Sequence, residues 1–249
     1  ESYDPRDPNS EYLSNKVPMY IAENVEIIKD IPKDKVGLGS TVAIKYVDDP
    51  DDTDEYKIVG SQEADPFEGR ISNESPIAKA LMNHKKGDII TIDIGACYKG
   101  YHGDSAWSYK VGDITASDAS LLEHTEKALY EGIKQVRPGN RIGDISNAIE
   151  VYATKHNLGI VKELVGHGVG TTVHEDPEVP NYGEKGKGPR LREGMVIAIE
   201  PMLTLGSHDI YVDSNDWTVI TDDGSRSAHF EHTVAVTSDG VKILTGDDK

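Results

Sequence analysis

The sequence contains little cysteine, little basic charge and no long apolar run. Its single cysteine, Cys97, excludes an intramolecular disulfide and favours a reducing compartment, so the cytoplasm is the expected location. With 26 basic against 44 acidic residues the net charge is −18, which opposes direct binding to a nucleic-acid backbone. No apolar run approaches the roughly 20 residues of a transmembrane helix, and no signal-peptide pattern is present. A membrane partner is therefore not expected.

Two segments predict irregular structure. The first 24 residues are rich in Pro, Asp, Asn and Ser and show neither a helical nor a strand period, which predicts an irregular arm over residues 1–24. The acidic run DDPDDTDE at residues 48–55 predicts a solvated loop. The alternative is a calcium loop, but the run lacks the glycine and the distal glutamate of an EF-hand.

Strands with embedded helices follow, which predicts an α/β or α+β chain and not a helical bundle. Strand patterns occur in VEIIKDI, STVAIKYV, EYKIVG, GDIITIDIGACY, VIAIE, DWTVIT, HFEHTVAV and VKILT. Helical patterns cover residues 75–87, 117–136 and 142–156. In the second helix Ser117 and Asp118 are the candidate caps.

Two aspartates can be placed by the geometry of a hairpin. If Lys99-Gly100 is a two-residue turn, position 104 faces position 95, so Asp93 becomes the diagonal neighbour of Asp104. Diagonal positions lie roughly 7–8 Å apart at the backbone, close enough for the carboxylates to share a pair of cations. Like charges in such positions are otherwise destabilising, so a compensating cation is expected.

Three further residues complete a set of metal-ligand type. His167 lies between two glycines in GHGVG, where the absence of a Cβ permits a close backbone approach. Glu200 ends the apolar strand MVIAIE, and Glu231 lies within the strand pattern HFEHTVAV. A buried carboxylate needs a partner or a metal. Each residue alone is more often structural, but together they predict a site for two divalent ions, with Mn, Fe, Co or Zn all compatible.

The strings that carry these residues resemble the bacterial methionine aminopeptidases. The matching strings are IDIGACYKGYHGDSAW, VGHGVGTTVHEDPEVPNYG, KGPRLREGMVIAIEPM, DWTVIT and AHFEHTVAVT, within residues 87–245. The resemblance implies half to two thirds of a pita-bread (creatinase/aminopeptidase-like) domain with a dinuclear metal site. The implied metal ligands are Asp93, Asp104, His167, Glu200 and Glu231, with Asp104 and Glu231 bridging.

The same resemblance implies the roles of three residues around substrate. Glu200 would act as general base for the attacking water, and His174 would contact the substrate amide. Trp217 would line the entrance for the methionine side chain. The alternatives are an exposed loop residue for His174 and a packed strand aromatic for Trp217.

One part of the aminopeptidase pattern is missing upstream of Asp93. The family has a further catalytic histidine there, but the aligned position is near Ser75, and the nearest histidine, His84, lies in the unrelated string MNHKKGD. Residues 25–92 instead resemble the C-terminal domain of the Gre transcript-cleavage factors, through KVGLGSTVAIKYV and YKIVGSQEADPFEGRISNESPIAKALMNHKKGDIITI. That resemblance implies an FKBP-like fold and docking on RNA polymerase.

The sequence therefore predicts an irregular arm (1–24), a Gre-like segment (25–92) and an aminopeptidase-like metal-binding domain (93–249), joined as two incomplete domains. The first functional hypothesis is metal-dependent removal of N-terminal methionine from peptides and nascent chains, impaired by the missing upstream half. The alternative is a non-catalytic polymerase-docking module fused to a metal-binding remnant. Half a sheet also leaves an open strand edge, so a dimer, aggregation or weak stability is expected unless the Gre-like segment covers it.

Overall fold

The computed structural model describes residues 35–45, 53–214 and 218–246. Three α-helices lie in these ranges, α1 (Pro76–Leu81), α2 (Ala116–Ile133) and α3 (Ile142–Lys155), together with a short 3-10 helix at Pro66–Glu68. The strands are β1 (Thr41–Lys45), β2 (Thr53–Val59), β3 (Arg70–Ser72), β4 (Ile89–Tyr98), β5 (Tyr101–Lys110), β6 (Gly159–Ile160), β7 (Gly166–Gly168), β8 (Glu175–Val179), β9 (Val196–Ile199), β10 (Met202–Thr204), β11 (Ile210–Val212), β12 (Val219–Thr221), β13 (Ser227–His229), β14 (His232–Thr237) and β15 (Gly240–Ile243). No described helix is both long and apolar enough to cross a membrane.

The main core lies between two helices and the central strands. One sheet has the order β15–β14–β9–β7–β8, and a second has the order β13–β10–β6. Leu121 and Leu129 of α2 and Ile145 and Ile149 of α3 belong to the same buried cluster as Phe230. These apolar positions recur at helical spacing, so one face of each helix is removed from water. The predicted helices over 117–136 and 142–156 are thereby confirmed to within a few residues.

The ends of the helices differ from the predictions in detail. Helix α2 is capped by Thr115, whose Oγ1 accepts a hydrogen bond from the backbone N–H of Asp118 at 3.1 Å, and not by Ser117 or Asp118. Helix α1 is capped by Ser75 and starts at Pro76, but it ends at Leu81, although the sequence pattern extends to Gly87. Asn83, with a φ of 69°, lies just past that end.

A small second core lies in the N-terminal part. Strands β1, β2 and β3 form a separate sheet in that order, with β2 and β3 parallel. Ile58, Ile71, Ala78, Leu81 and Ile90 are buried together there. The predicted strand at residues 25–31 and the arm over 1–24 lie outside the described residues. The FKBP-like assignment therefore stays a prediction.

Strand β4 joins the two cores. It runs without a break through positions 92 and 93, where the sequence places the boundary between two domains. Ile89 packs against the main core and Ile90 belongs to the small one. The boundary itself stays a prediction, but both cores share one strand.

The outer half of β4 is an exposed edge. Within the described residues β4 pairs with β5 alone, and every residue from position 93 to 98 is exposed. Ile94 is 44% exposed and Tyr98 is 74% exposed. Unpaired backbone groups beside apolar side chains form a template for pairing with another chain.

We expect the protein to self-associate through this edge. Ile94→Lys places a charge on the exposed edge and should shift the sedimentation coefficient toward that of the monomer, because an edge lysine opposes strand pairing. Val151→Lys, which changes a 59%-exposed residue on α3, is the matched control and should leave association unchanged. A wild-type chain that sediments as a monomer at micromolar concentration would show that the edge is not an interface.

Candidate metal centre

The hairpin places Asp93 and Asp104 as the turn geometry predicts. Lys99 and Gly100 have φ values of 52° and 82°, the left-handed pair that closes a two-residue hairpin. Gly95 is paired with Asp104, so Asp93 lies diagonal to Asp104 on the same face of the hairpin. Asp104 is buried at 8% exposure, whereas Asp93 lies on the exposed part of β4.

Strand β5 is bonded to the segment that carries Glu231. The backbone N–H of Glu231 donates to the carbonyl of Ala106 at 2.7 Å. The Thr233 hydroxyl accepts from the backbone N–H of Asp104 at 2.9 Å and donates to the Asp104 carbonyl at 2.7 Å. These bonds fix Asp104 and Glu231 relative to each other. Glu231 itself lies in a break between β13 and β14, and not within one continuous strand as the sequence predicts.

His167 is held in β7 by glycines on either side. A Cβ at Gly166 would lie 2.4 Å from the Ala198 carbonyl oxygen, and one at Gly168 would lie 2.3 Å from that of Asp176. Both distances are too short for any side chain, which confirms that these glycines permit close backbone approach. The His167 Nδ1 lies 3.0 Å from the Gly168 carbonyl, an arrangement that favours a proton on Nδ1 and leaves Nε2 as a free lone pair.

The five predicted ligands converge on one place. His167 Nε2 lies 3.3 Å from Glu200 Oε1 and 3.8 Å from Asp104 Oδ2. Three overlapping triads, each with ligand atoms within 4.8 Å of one another, could hold a metal ion. They are Asp93–Asp104–Glu231, His167–Glu200–Glu231 and Asp104–His167–His174. Asp104, His167 and Glu231 each belong to two triads.

The electrostatics of the cluster fit a divalent cation. Burial, followed by the charges of Glu200, Asp104 and Asp93, raises the pKa of Glu231 to about 10. Burial likewise raises the pKa of Asp93, partly offset by nearby His229. Among the described residues Glu231 Oε1 has no hydrogen-bond partner. A buried carboxylate among like charges with a free oxygen fits a cation bound beside it.

Of the two predicted substrate contacts, one can be placed. His174 is exposed in the loop before β8, and its ring centroid lies 4.3 Å from that of His167 at an interplanar angle of 61°. His174 is therefore part of the cluster and not a remote loop residue. Trp217 lies outside the described residues.

The positions considered for the missing histidine have other contacts. Ser75 caps α1 by accepting the Ala78 backbone N–H at 3.2 Å. His84 Nδ1 lies 3.4 Å from an oxygen of Asp88. Neither belongs to the metal-ligand triads found in the described part of the chain.

One further histidine, which the sequence patterns do not single out, lies at the site. His229 ends β13, and its Nε2 lies 3.5 Å from Glu200 Oε2 with the side chain 15% exposed. The sequence does contain an indication of this placement, because His229 lies two residues before Glu231 and alternate residues of an extended segment face the same side.

Comparison with known protein families agrees with a metal-binding arrangement of these residues. The sequence pattern of the metallopeptidase family M24 matches residues 56–238. The chain belongs to metallopeptidase family M24. The match begins within the segment that resembles a Gre-like domain, so the family likeness extends further toward the N-terminus than residue 87.

Relatives of this M24 chain are methionine aminopeptidases. It is 54% identical over 161 residues to methionine aminopeptidase 1 of Bacillus subtilis, covering 65% of each chain. It is 48% identical over 176 residues to the methionine aminopeptidase of Clostridium acetobutylicum, covering 70% of each. The chain thus spans about two thirds of these relatives' length.

Solved structures support the M24 fold. The methionine aminopeptidase of Thermotoga maritima aligns with a TM-score of 0.66 and 43% identity, over 67% of each chain. A prolidase of Pyrococcus horikoshii aligns with a TM-score of 0.53 and 27% identity, over 68% of this chain and 43% of that one. The predicted α+β chain with a pita-bread fold is confirmed for the part of the chain that aligns with these structures.

We expect Glu231→Gln to stabilise the metal-free protein. The pKa of the Glu231 carboxyl is raised from its ordinary value of 4.5 to about 10 in the folded chain. The contribution of this carboxyl to folding stability is therefore fully present below pH 4.5 and is lost as the pH rises toward 10. At neutral pH in chelator, the neutral amide should raise the free energy of unfolding by about 1–3 kcal/mol, because folding no longer requires the uptake of a proton at position 231. Urea unfolding measures this.

The exposed Glu193 provides the control. Glu193→Gln should change the free energy of unfolding by less than about 0.5 kcal/mol, as surface substitutions usually do. A Glu231→Gln variant that is less stable than wild type in chelator at pH 7 would contradict the electrostatic account of the cluster.

Proposed function

We propose that the chain is a dinuclear metal-dependent aminopeptidase that removes N-terminal methionine from peptides and nascent chains in the cytoplasm. The observation that carries the proposal is the convergence of five ligand side chains around a buried carboxylate oxygen that has no described partner. Identities of 54% and 48% to methionine aminopeptidases supply the substrate class.

The proposed ligands divide between two ions. Asp104 and Glu231 would be shared between the two ions, since they are the carboxylates that belong to two of the described triads. Asp93 completes one set, and His167 with Glu200 completes the other. Carboxylate and imidazole ligands suit Mn, Fe, Co or Zn. When bound, the ions would polarise the scissile carbonyl and lower the pKa of an attacking water.

The remaining residues handle protons and substrate. Glu200 accepts the proton of the attacking water, because its carboxylate lies within the cluster beside His167. His174, exposed at the rim, donates a hydrogen bond to the substrate amide. In this proposal Trp217 lines the entrance for the methionine side chain, on the strength of the family resemblance alone.

The proposed domain organisation places a Gre-like segment at 25–92 before the metal-binding part at 93–249. Docking on RNA polymerase through that segment is the alternative function, and it rests on the sequence resemblance alone. The shared strand β4 and the start of the family match at residue 56 favour the peptidase as the function of the described chain.

We expect release of free methionine from a Met-Ala-Ser peptide only when a divalent ion, such as Mn²⁺ or Co²⁺, is present. Asp104→Ala should lower the rate by about 100-fold or more, a loss typical when a preorganised electrostatic contact is removed. The rate of wild type should itself be low, because the upstream histidine is missing. Chromatographic detection of methionine measures both.

Control variants separate chemistry from folding. His174→Ala should lower kcat while leaving the number of bound metal ions unchanged. His208→Ala, a substitution in the loop beside Asp209, should change neither kcat nor the number of bound metal ions. Binding of two ions without any turnover would exclude the peptidase proposal and leave the non-catalytic alternative.

A further inference from the structure

The carboxylate of Glu200 lies between two imidazoles. Its Oε1 is 3.3 Å from His167 Nε2, and its Oε2 is 3.5 Å from His229 Nε2. The backbone carbonyl of Glu200 accepts a hydrogen bond from Asn181 Nδ2 at 3.1 Å, which fixes the main chain at this point. The orientation of the carboxylate therefore depends on the groups that face its two oxygens.

The backbone of His229 is fixed independently of Glu200. Its N–H donates to the Ser108 hydroxyl at 2.9 Å, and that hydroxyl donates to the His229 carbonyl at 2.8 Å. His229 is also paired with Met202 in the β10–β13 ladder. The imidazole therefore extends from a rigid position toward Glu200.

The His229 Nε2 has no hydrogen-bond partner within bonding distance among the described residues, and it is shielded from solvent. An imidazole N–H is a donor, and a carboxylate oxygen is its natural acceptor. The present separation of 3.5 Å needs to shorten by about 0.5 Å to give an ordinary hydrogen bond. Hydrogen bonds in active sites are often long without ligands and shorten when the site is loaded.

We propose that His229 is a positioning residue of the metal centre, which donates Nε2–H to Glu200 Oε2 and so directs Glu200 Oε1 toward the ions. This inference rests on the proposed function of the cluster. Outer contacts of this kind orient ligand carboxylates and raise metal affinity. His229 makes no direct contact with substrate in this role.

The probe is Mn²⁺ alone, titrated calorimetrically into the full chain after removal of metal. His229→Leu should weaken Mn²⁺ binding by about 10- to 100-fold, the usual effect of removing an outer-shell partner. His229→Gln carries an amide N–H about as far from the backbone as the imidazole Nε2, so it should restore affinity to within about threefold of wild type. Because Nε2 has no partner in the described structure, neither variant should have a lower urea midpoint than wild type in chelator.

The outcomes are distinguishable. Wild-type affinity in His229→Leu, or a lower midpoint in chelator with unchanged affinity, overturns the positioning role. A His229→Gln variant as weak as His229→Leu also overturns it, since a donor at that place would then be insufficient. If His229→Leu does not fold, His229→Asn, whose amide is too short to reach Glu200, replaces it. A wild-type chain that binds no Mn²⁺ refutes the metal centre itself, and this inference with it.

Discussion

The buried carboxylate of Glu231 is the constraint on which the rest of the site depends. It is 2% exposed, it lies near Glu200, Asp104 and Asp93, and one of its oxygens lacks a described partner. A proton or a cation must therefore compensate it, and the two compete for the same place. Metal binding at this centre would thus be coupled to pH and, through the buried charge, to folding stability.

The same residue couples separate parts of the fold. Its backbone N–H donates a hydrogen bond to Ala106 of β5. Two residues later, the Thr233 hydroxyl forms hydrogen bonds with both the N–H and the carbonyl of Asp104. The hairpin that carries two proposed ligands is therefore attached to the sheet that carries the others. An ion shared by Asp104 and Glu231 would strengthen that attachment, whereas without an ion a proton must offset the repulsion between the carboxylates.

Features set by local rules could be predicted from the sequence. The Lys99-Gly100 turn fixes the β4–β5 register, and helical periodicity locates α2 and α3. Features that depend on tertiary contacts could not. The Thr115 cap competes with equally plausible neighbours, the break before β14 follows from docking on β5, and His229 gains its meaning only once Glu200 is placed beside it. The sequence thus predicted which candidate side chains come together, but not the contacts that orient them.

Anomalous diffraction from crystals grown with Mn²⁺ and measured on both sides of the manganese edge tests the central claim most directly. The account predicts two peaks roughly 3.5–4 Å apart, the spacing of bridged two-metal sites. Both peaks should contact Asp104 and Glu231, with Asp93 beside one and His167 beside the other. No peak at the cluster, or a single peak that does not touch Glu231, would contradict the dinuclear centre.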